Sequence, residues 1–173
     1  MKNTIIFILC FFIGFFWIKL ITEANNEIRE TRIQACSQAY NEYKGWIEER
    51  FIHTTQDWIV RCATYMTLVY AKESWFWQSR RCIEDNNCFW LKNPTYNNAL
   101  RWLDYNVVSG RFLKFKNYGD DNIAFARFYA RFHMNKHIEW FVRDWSMTDR
   151  ATYIRFMRDR YWDTYNEIYL LTK

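Results

Sequence analysis

The sequence has few of the residues that interrupt regular structure. It contains four Gly and one Pro among 173 residues, whereas a strand-rich fold needs turns built on such residues about every 8–12 positions. Hydrophobic side chains make up 50% of the chain, which is enough apolar surface to offset the entropy lost on ordering and excludes a disordered chain. The composition therefore predicts a compact, mainly α-helical protein with one domain after any leader.

A strong excess of charge of one sign is also lacking. The chain has 24 Lys and Arg residues against 19 Asp and Glu. Lys2 and Lys19 precede or interrupt an apolar segment, which leaves 22 basic against 19 acidic side chains in the rest. This mild excess suits an anionic surface such as a cell wall, and it falls short of the field typical of nucleic-acid-binding domains. We expect no nucleic-acid partner.

One long apolar run is present, at residues 4–21, and Lys19 is its only charge. About 18 such residues suffice to cross a bilayer as a helix. Because Lys2 precedes the run, the positive-inside rule places the N-terminus in the cytoplasm and the domain outside it. We predict a transmembrane signal-anchor at residues 1–22. A cleaved signal peptide is the alternative, since residues 22–24 resemble a cleavage site, and it also exports the domain.

Paired cysteines of the C-x-x-C type, which would suggest zinc, are absent. Four cysteines follow the apolar run, and they allow three pairings that sequence alone cannot distinguish. In an oxidising compartment we expect Cys82 to pair with Cys88 and Cys36 with Cys62, and four buried free thiols are the alternative.

Two histidines raise the question of a metal. His133 and His137 lie four residues apart, at metal-ligand spacing on a helix. No third ligand is evident. We predict neither a metal nor a cofactor.

Helical periodicity recurs along the chain. Residues 25–50 read as an amphipathic helix, and we interpret 23–52 as a helical spacer before a domain at 53–173. Residues 58–70 are nearly all apolar, as in a buried central helix, and 79–98 read as a long loop. A short helix near 99–105, a long helix from Asp120 or Asp121 to 145, and a last helix at 150–171 complete the prediction. The last helix carries a core-facing stripe: Tyr153, Met157, Tyr161 and Tyr165.

A candidate for acid catalysis stands at the end of the central helix. Glu73 would lie at the rim of an apolar core, where desolvation raises the pKa of a carboxyl and keeps it protonated. Glycosidic cleavage needs such a group, because the leaving sugar oxygen must receive a proton. Three aromatic residues follow, beginning with Trp75, and aromatic rings offer apolar faces to sugars. A helix-end Glu in an ion pair with Lys72 or Arg80 is the structural alternative.

Two motifs in this region carry a family resemblance. Residues 73–75 read Glu-Ser-Trp, and residues 86–92 read Asn-Asn-Cys-Phe-Trp-Leu-Lys. They resemble the autolysin and flagellar type of endo-β-N-acetylglucosaminidase, a peptidoglycan hydrolase with a lysozyme-like helical fold, which has Glu-Ser followed by Gly and then Asn-Asn-x-Phe-Gly-Ile-Lys. Looser matches follow at 112–115, 120–123 and 145–153, so the resemblance spans about 58–160.

The resemblance implies peptidoglycan as the partner and Glu73 as the general acid. The substrate-binding residues it implies are Ser74, Trp75, Asn87, Phe89, Lys92 and Tyr153. Two glycines of the family are Trp75 and Trp90 here, so either the cleft has been reshaped or the reaction has been lost. The second carboxylate stays open among Glu84, Asp85, Asp104, Asp120 and Asp121, and a substrate-assisted reaction needs none of them as nucleophile.

Overall fold

The structure is a computed structural model that describes residues 2–50, 54–74, 79–92, 100, 102–103, 105–108, 112–133, 137–145 and 149–173. Within them the chain is mainly helical, as predicted from its composition. The helices are α1 (Lys2–Glu42), α2 (Lys44–Glu48), α3 (Thr55–Ser74), α4 (Arg80–Asp85), α5 (Tyr118–Phe128), α6 (Ile138–Trp145) and α7 (Arg150–Leu171). The strands β1 (Tyr105–Val108) and β2 (Phe112–Phe115) form an antiparallel pair.

α3 is the central helix of the fold. Thr54 caps it by accepting a hydrogen bond from the Asp57 N–H at 3.1 Å. From Trp58 to Val69 most side chains are buried, because α1, α5 and α7 pack around α3 on different sides. The predicted buried helix ending near Glu73 is confirmed.

The second half of α1 belongs to the core. Its small residues Ala35, Cys36 and Ala39 are buried and let α1 approach α3 and α5 closely. A disulfide between Cys36 and Cys62 joins α1 to α3. This corrects the interpretation of residues 23–52 as a spacer, because the buried side chains of that segment need the rest of the domain to cover them.

The first half of α1 carries the apolar run. The side chains described there are exposed, among them Ile13, Phe16, Ile18 and Ile21. In the part of the chain that the structure describes, no helix is long and apolar enough to cross a membrane. The membrane-spanning helix at 4–21 is therefore unsupported by the structure and stays a prediction from the sequence.

The region predicted as a long loop, 79–98, is partly regular. It begins with α4, and Lys92 forms an isolated bridge with Phe112, so residues 91–92 lie along β2. The predicted pairing of Cys82 with Cys88 is confirmed. β1 and β2 pair from Tyr105 opposite Phe115 to Val108 opposite Phe112.

The predicted long helix to residue 145 is divided. α5 begins after Asn117, which caps it by accepting a hydrogen bond from the Asp120 N–H. A π-helical turn, Tyr129–His133, continues α5, and α6 begins at Ile138. α7 begins after Asp149 as predicted, and Tyr153, Met157 and Tyr161 of its stripe are buried.

Candidate active site

Glu73 lies in the last turn of α3, one residue before the helix ends. Its side chain is half-buried at the edge of the core. Burial raises the pKa of the Glu73 carboxyl, while contact with Tyr153 and the charge of Lys72 partly oppose the rise. A carboxyl with a raised pKa stays protonated to a higher pH, as a proton donor must.

Tyr153, in the first turn of α7, contacts Glu73 through its side chain. It is 3% exposed. Burial raises the pKa of Tyr153 well above its ordinary value, and the neighbouring carboxylate adds to the rise, so the phenol stays protonated at neutral pH. The hydroxyl contacts the carboxyl without the geometry of a full hydrogen bond. Catalytic contacts are often this loose before a substrate binds.

Lys72 brings a positive charge to the same place. Its Nζ lies 5.8 Å from the ring centroids of both Tyr153 and Phe156. The ammonium group is therefore held over aromatic rings of α7. Because this charge lowers the pKa of Glu73, it stabilises the carboxylate that remains after a proton has been given away.

The turn at residues 86–90, called here the 86–90 turn, is fixed to β2 by the side chains of Asn86 and Asn87. Asn86 ends α4 in the left-handed conformation, at φ 48°, which Asn tolerates better than most residues. Asn87 is fully buried, and its amide donates to the carbonyl oxygens of Leu91 and Leu113 at 2.8 Å each. Its carbonyl accepts the Leu91 N–H at 2.7 Å.

Asp121 of α5 holds the 86–90 turn from the opposite side. Its buried carboxylate accepts the Cys88 N–H at 2.8 Å and also interacts with the Phe89 N–H. Burial raises the pKa of Asp121 well above its ordinary value, against the effect of these two donors and of Arg32. The sequence named Asp121 as a possible start of a helix and as a possible second carboxylate, and its two backbone partners instead make it a positioning residue.

Phe89 connects the 86–90 turn to the helix that carries Glu73. It is fully buried, with its ring centroid 6.0 Å from that of Tyr70 and 4.6 Å from that of Phe125. Tyr70 lies three residues before Glu73 and therefore on the same side of α3. The turn is thus packed beside the end of α3.

The predicted substrate-binding residues lie in different surroundings. Asn87 and Phe89 are 0% exposed, so the structure corrects their predicted role as cleft walls: they position the 86–90 turn and reach no ligand at the surface. Lys92 is exposed and Tyr153 contacts Glu73. Ser74 ends α3, and its side chain lies outside the described part of the structure, as does the whole of Trp75.

The backbone conformation of Trp90 could not be predicted from the sequence. Its φ is +56°, in the left-handed region that costs a residue with a side chain roughly 1–2 kcal/mol. This conformation favours glycine, which has no side chain. Although its side chain is large, Trp90 is 42% exposed. The last residue of the 86–90 turn therefore combines a strained backbone with a partly solvated indole.

Four of the candidates for a second carboxylate lie in the described part of the chain, and each interacts with groups other than Glu73. Glu84 and Asp85 form ion pairs with arginines of α4 at 2.7 Å. Asp120 lies in the first turn of α5 beside the cap of that helix, and Asp121 is buried as described above. Asp104 lies outside the described residues.

Metal-ligating side chains are not brought together in the described ranges. No three His, Cys, Asp or Glu side chains there form a group that could hold a metal ion. His137 is exposed, and the side chain of His133 is not among those described.

A groove of about 710 Å³ opens on another face of the molecule. It is lined by residues of α1, of the start of α3 and of the end of α7, including Ile33, Ile59 and Tyr169. Glu73 is not among them. Because a general acid must reach the bond that it protonates, we place the candidate site at Glu73 and Tyr153 despite the size of this groove.

Comparison of the chain with protein-family models, with curated proteins and with solved structures finds no match to any of them. The interpretation of the site therefore depends on its own residues and geometry.

Proposed function

We propose that this chain is a membrane-anchored or exported peptidoglycan hydrolase. Its lysozyme-like helical domain would cleave the β-1,4 linkage next to N-acetylglucosamine, with Glu73 as general acid. The observation that carries this proposal is the half-buried Glu73 carboxyl, with its raised pKa, opposite the buried phenol of Tyr153.

The first step is proton transfer. Protonated Glu73 gives its proton to the glycosidic oxygen as the bond to the anomeric carbon breaks. The Glu73 carboxylate that results is stabilised by the Tyr153 hydroxyl and by the charge of Lys72. The same carboxylate can then take a proton from the water that enters to complete hydrolysis.

The second step has to neutralise the positive charge that develops at the anomeric carbon. Either a second carboxylate or the acetamido group of the sugar itself can do so. The engagement of Glu84, Asp85 and Asp121 away from Glu73 favours the acetamido group.

The proposed location follows from the N-terminal segment. Residues 4–21 would anchor the domain on the outer side of a membrane. The exposed apolar side chains there, such as Phe16 and Ile18, support a lipid contact. The two disulfides support an oxidising compartment.

The test is hydrolysis of purified peptidoglycan by the full chain in detergent, with new reducing ends as the readout. We expect Glu73→Gln to lower the rate by about 10²–10⁴-fold, the usual contribution of a positioned acid. Glu84→Gln is the matched control and should keep the rate, because this exposed carboxylate pairs with Arg80. If wild type releases no reducing ends, or Glu73→Gln releases as many, the catalytic assignment is wrong.

The alternative function is a catalytically inactive relative that binds glycan or scaffolds an envelope assembly. Trp90 favours it, because an indole stands where the resembling family has glycine. Such a protein would sediment with peptidoglycan and release no reducing ends. For an active protein, the sugar found at the new reducing end would distinguish a glucosaminidase from a muramidase.

A further inference from the structure

Two aromatic rings and two cations form one cluster beside the hairpin, called here the aromatic–cation platform. Trp90 meets Phe112 edge to face, with ring centroids 5.8 Å apart and an angle of 89° between the planes. Arg81 lies over the Phe112 ring at 4.6 Å, and the Lys92 Nζ lies 5.2 Å from the same centroid. The cluster thus joins α4, the 86–90 turn and β2.

The Trp90 indole is held in a defined position although it is partly exposed. Its Nε1–H donates a hydrogen bond to Ser79 Oγ at 3.1 Å. The turn beneath it is fixed by Asn87, by Asp121 and by the Cys82–Cys88 disulfide. A strained residue that the surrounding structure keeps in place, with its ring in solvent, is the arrangement expected of a binding group.

The platform lies near the proposed acid. Phe89, next to Trp90 in the chain, packs against Tyr70 in the last turns of α3. Ser79, which holds the indole, follows the end of α3 by five residues, and five residues span at most about 18 Å. A glycan bound across Glu73 would therefore extend over the platform within a few sugar units.

The charge around the platform is positive. Asp85 is the acid in this cluster, and it is shared by Arg81 at 2.7 Å and Lys114 at 3.9 Å. With Lys92, which lies over Phe112, the described residues place three cations in this region against one buried carboxylate. An anionic ligand is favoured here over a neutral or cationic one.

We propose that the aromatic–cation platform is a subsite for the muramyl residue of a glycan strand from which the stem peptides have been removed, because this sugar then bears a free carboxylate. The apolar face of its ring would pack on the Trp90 indole, and its lactyl carboxylate would pair with Lys92. The subsite would set the register of the strand, so that every second sugar is fixed relative to Glu73. This inference rests on the proposed function, since it names the substrate feature that the same cleft recognises.

The test uses the full chain in detergent with Glu73→Gln as background, so that bound glycan is not consumed. Calorimetric titration compares peptide-free peptidoglycan strands, which carry lactyl carboxylates, with neutral chitin oligomers. We expect Trp90→Gly to weaken both ligands by about tenfold, equivalent to about 1.4 kcal/mol. Lys92→Gln should weaken the charged strands by a similar factor and leave the neutral oligomers unchanged. Trp162→Ala removes another exposed indole, that of Trp162 in α7, which is 65% exposed against 42% for Trp90, and is the control.

A stability measurement separates a binding role from a structural one. Because Trp90→Gly relieves a left-handed backbone, its Tm should stay level or rise while affinity falls. A lower Tm with unchanged affinity overturns the subsite, and so does a protein that binds neither ligand. Equal loss of both ligands in Lys92→Gln overturns the carboxylate assignment. Unchanged affinity in both variants, with wild type still releasing reducing ends, would refute the platform and leave the proposed hydrolase intact.

Discussion

At the scale of single residues, the site depends on one carboxyl and the phenol that faces it. As the proposed acid, Glu73 would need burial to hold its proton, and it would need Tyr153 and Lys72 to stabilise the carboxylate that is left once the proton has gone. Burial raises the pKa of Glu73 and the two partners lower it. The balance between burial and these two partners sets the pH at which Glu73 loses its proton.

Tyr153→Phe should move the alkaline limit of activity to higher pH. The Tyr153 hydroxyl lowers the pKa of Glu73, so its removal raises that pKa, and the protonated, active form then survives at higher pH. The measurement is the pH profile of kcat/KM for wild type and variant. Tyr161→Phe, two turns further along the same stripe of α7, is the control and should leave the profile in place. A profile that shifts to lower pH, or shifts equally in both variants, contradicts the pairing.

The sequence predicted these residues unevenly. Glu73 could be named because it lies near the end of an apolar helix, whereas Tyr153 was implied by the family resemblance, its helical stripe alone indicating a core position. The burial of Asn87 and Phe89 could not be predicted, since it depends on β2, α3 and α5 converging on one turn. The contact of Asp121 with that turn joins residues 33 apart in the chain, and no local pattern encodes it.

At the scale of elements, the two disulfides constrain different parts of the fold. Cys36–Cys62 joins two long helices across 26 residues, and Cys82–Cys88 closes a segment of six. A crosslink restricts the unfolded chain more when its loop is longer.

Replacing Cys36 and Cys62 by Ala together should lower the free energy of unfolding by about 3–4 kcal/mol on the chain-entropy model, against about 2 for the Cys82 and Cys88 pair. Denaturant unfolding of both double variants under non-reducing conditions measures the difference. Cys10→Ala, outside both disulfides, is the control. A larger loss from the shorter loop would show that native packing of the 86–90 turn, and not loop length, dominates.

Element boundaries were predicted well where capping residues marked them. α7 begins at Arg150 as predicted, directly after its cap Asp149, and Thr54 caps the start of α3. The division between α5 and α6 was missed, because the helical pattern continues through the π-helical turn. α4 was missed because its six residues sit among turn-forming asparagines and carry too few apolar positions to show a period.

At the scale of the whole molecule, α1 belongs to two environments. Its described apolar side chains before residue 22 are exposed, whereas Ala35, Cys36, Ala39 and Tyr40 are in the core. Removing residues 2–22 should therefore keep the Tm of the domain and release the protein from membranes. Removing residues 2–40 should abolish folding, because it takes away Cys36 and the packing surface for α3 and α5.

Membrane fractionation and thermal unfolding of the two truncations test this. Retention of the 2–22 deletion in the membrane fraction would contradict the anchor. A folded 2–40 deletion would contradict the place of α1 in the core.

The Cys36–Cys62 disulfide also decides how the molecule bears a mechanical load. A force applied to the N-terminal end of α1 is transmitted along that helix to Cys36. The disulfide then transmits it to Cys62 in the first half of α3. α1 cannot peel away from α3 turn by turn, because the covalent bond stops the separation. Tension between the proposed membrane anchor and a glycan strand bound at Glu73 would thus be carried along α3 itself, and the domain would resist it as one body.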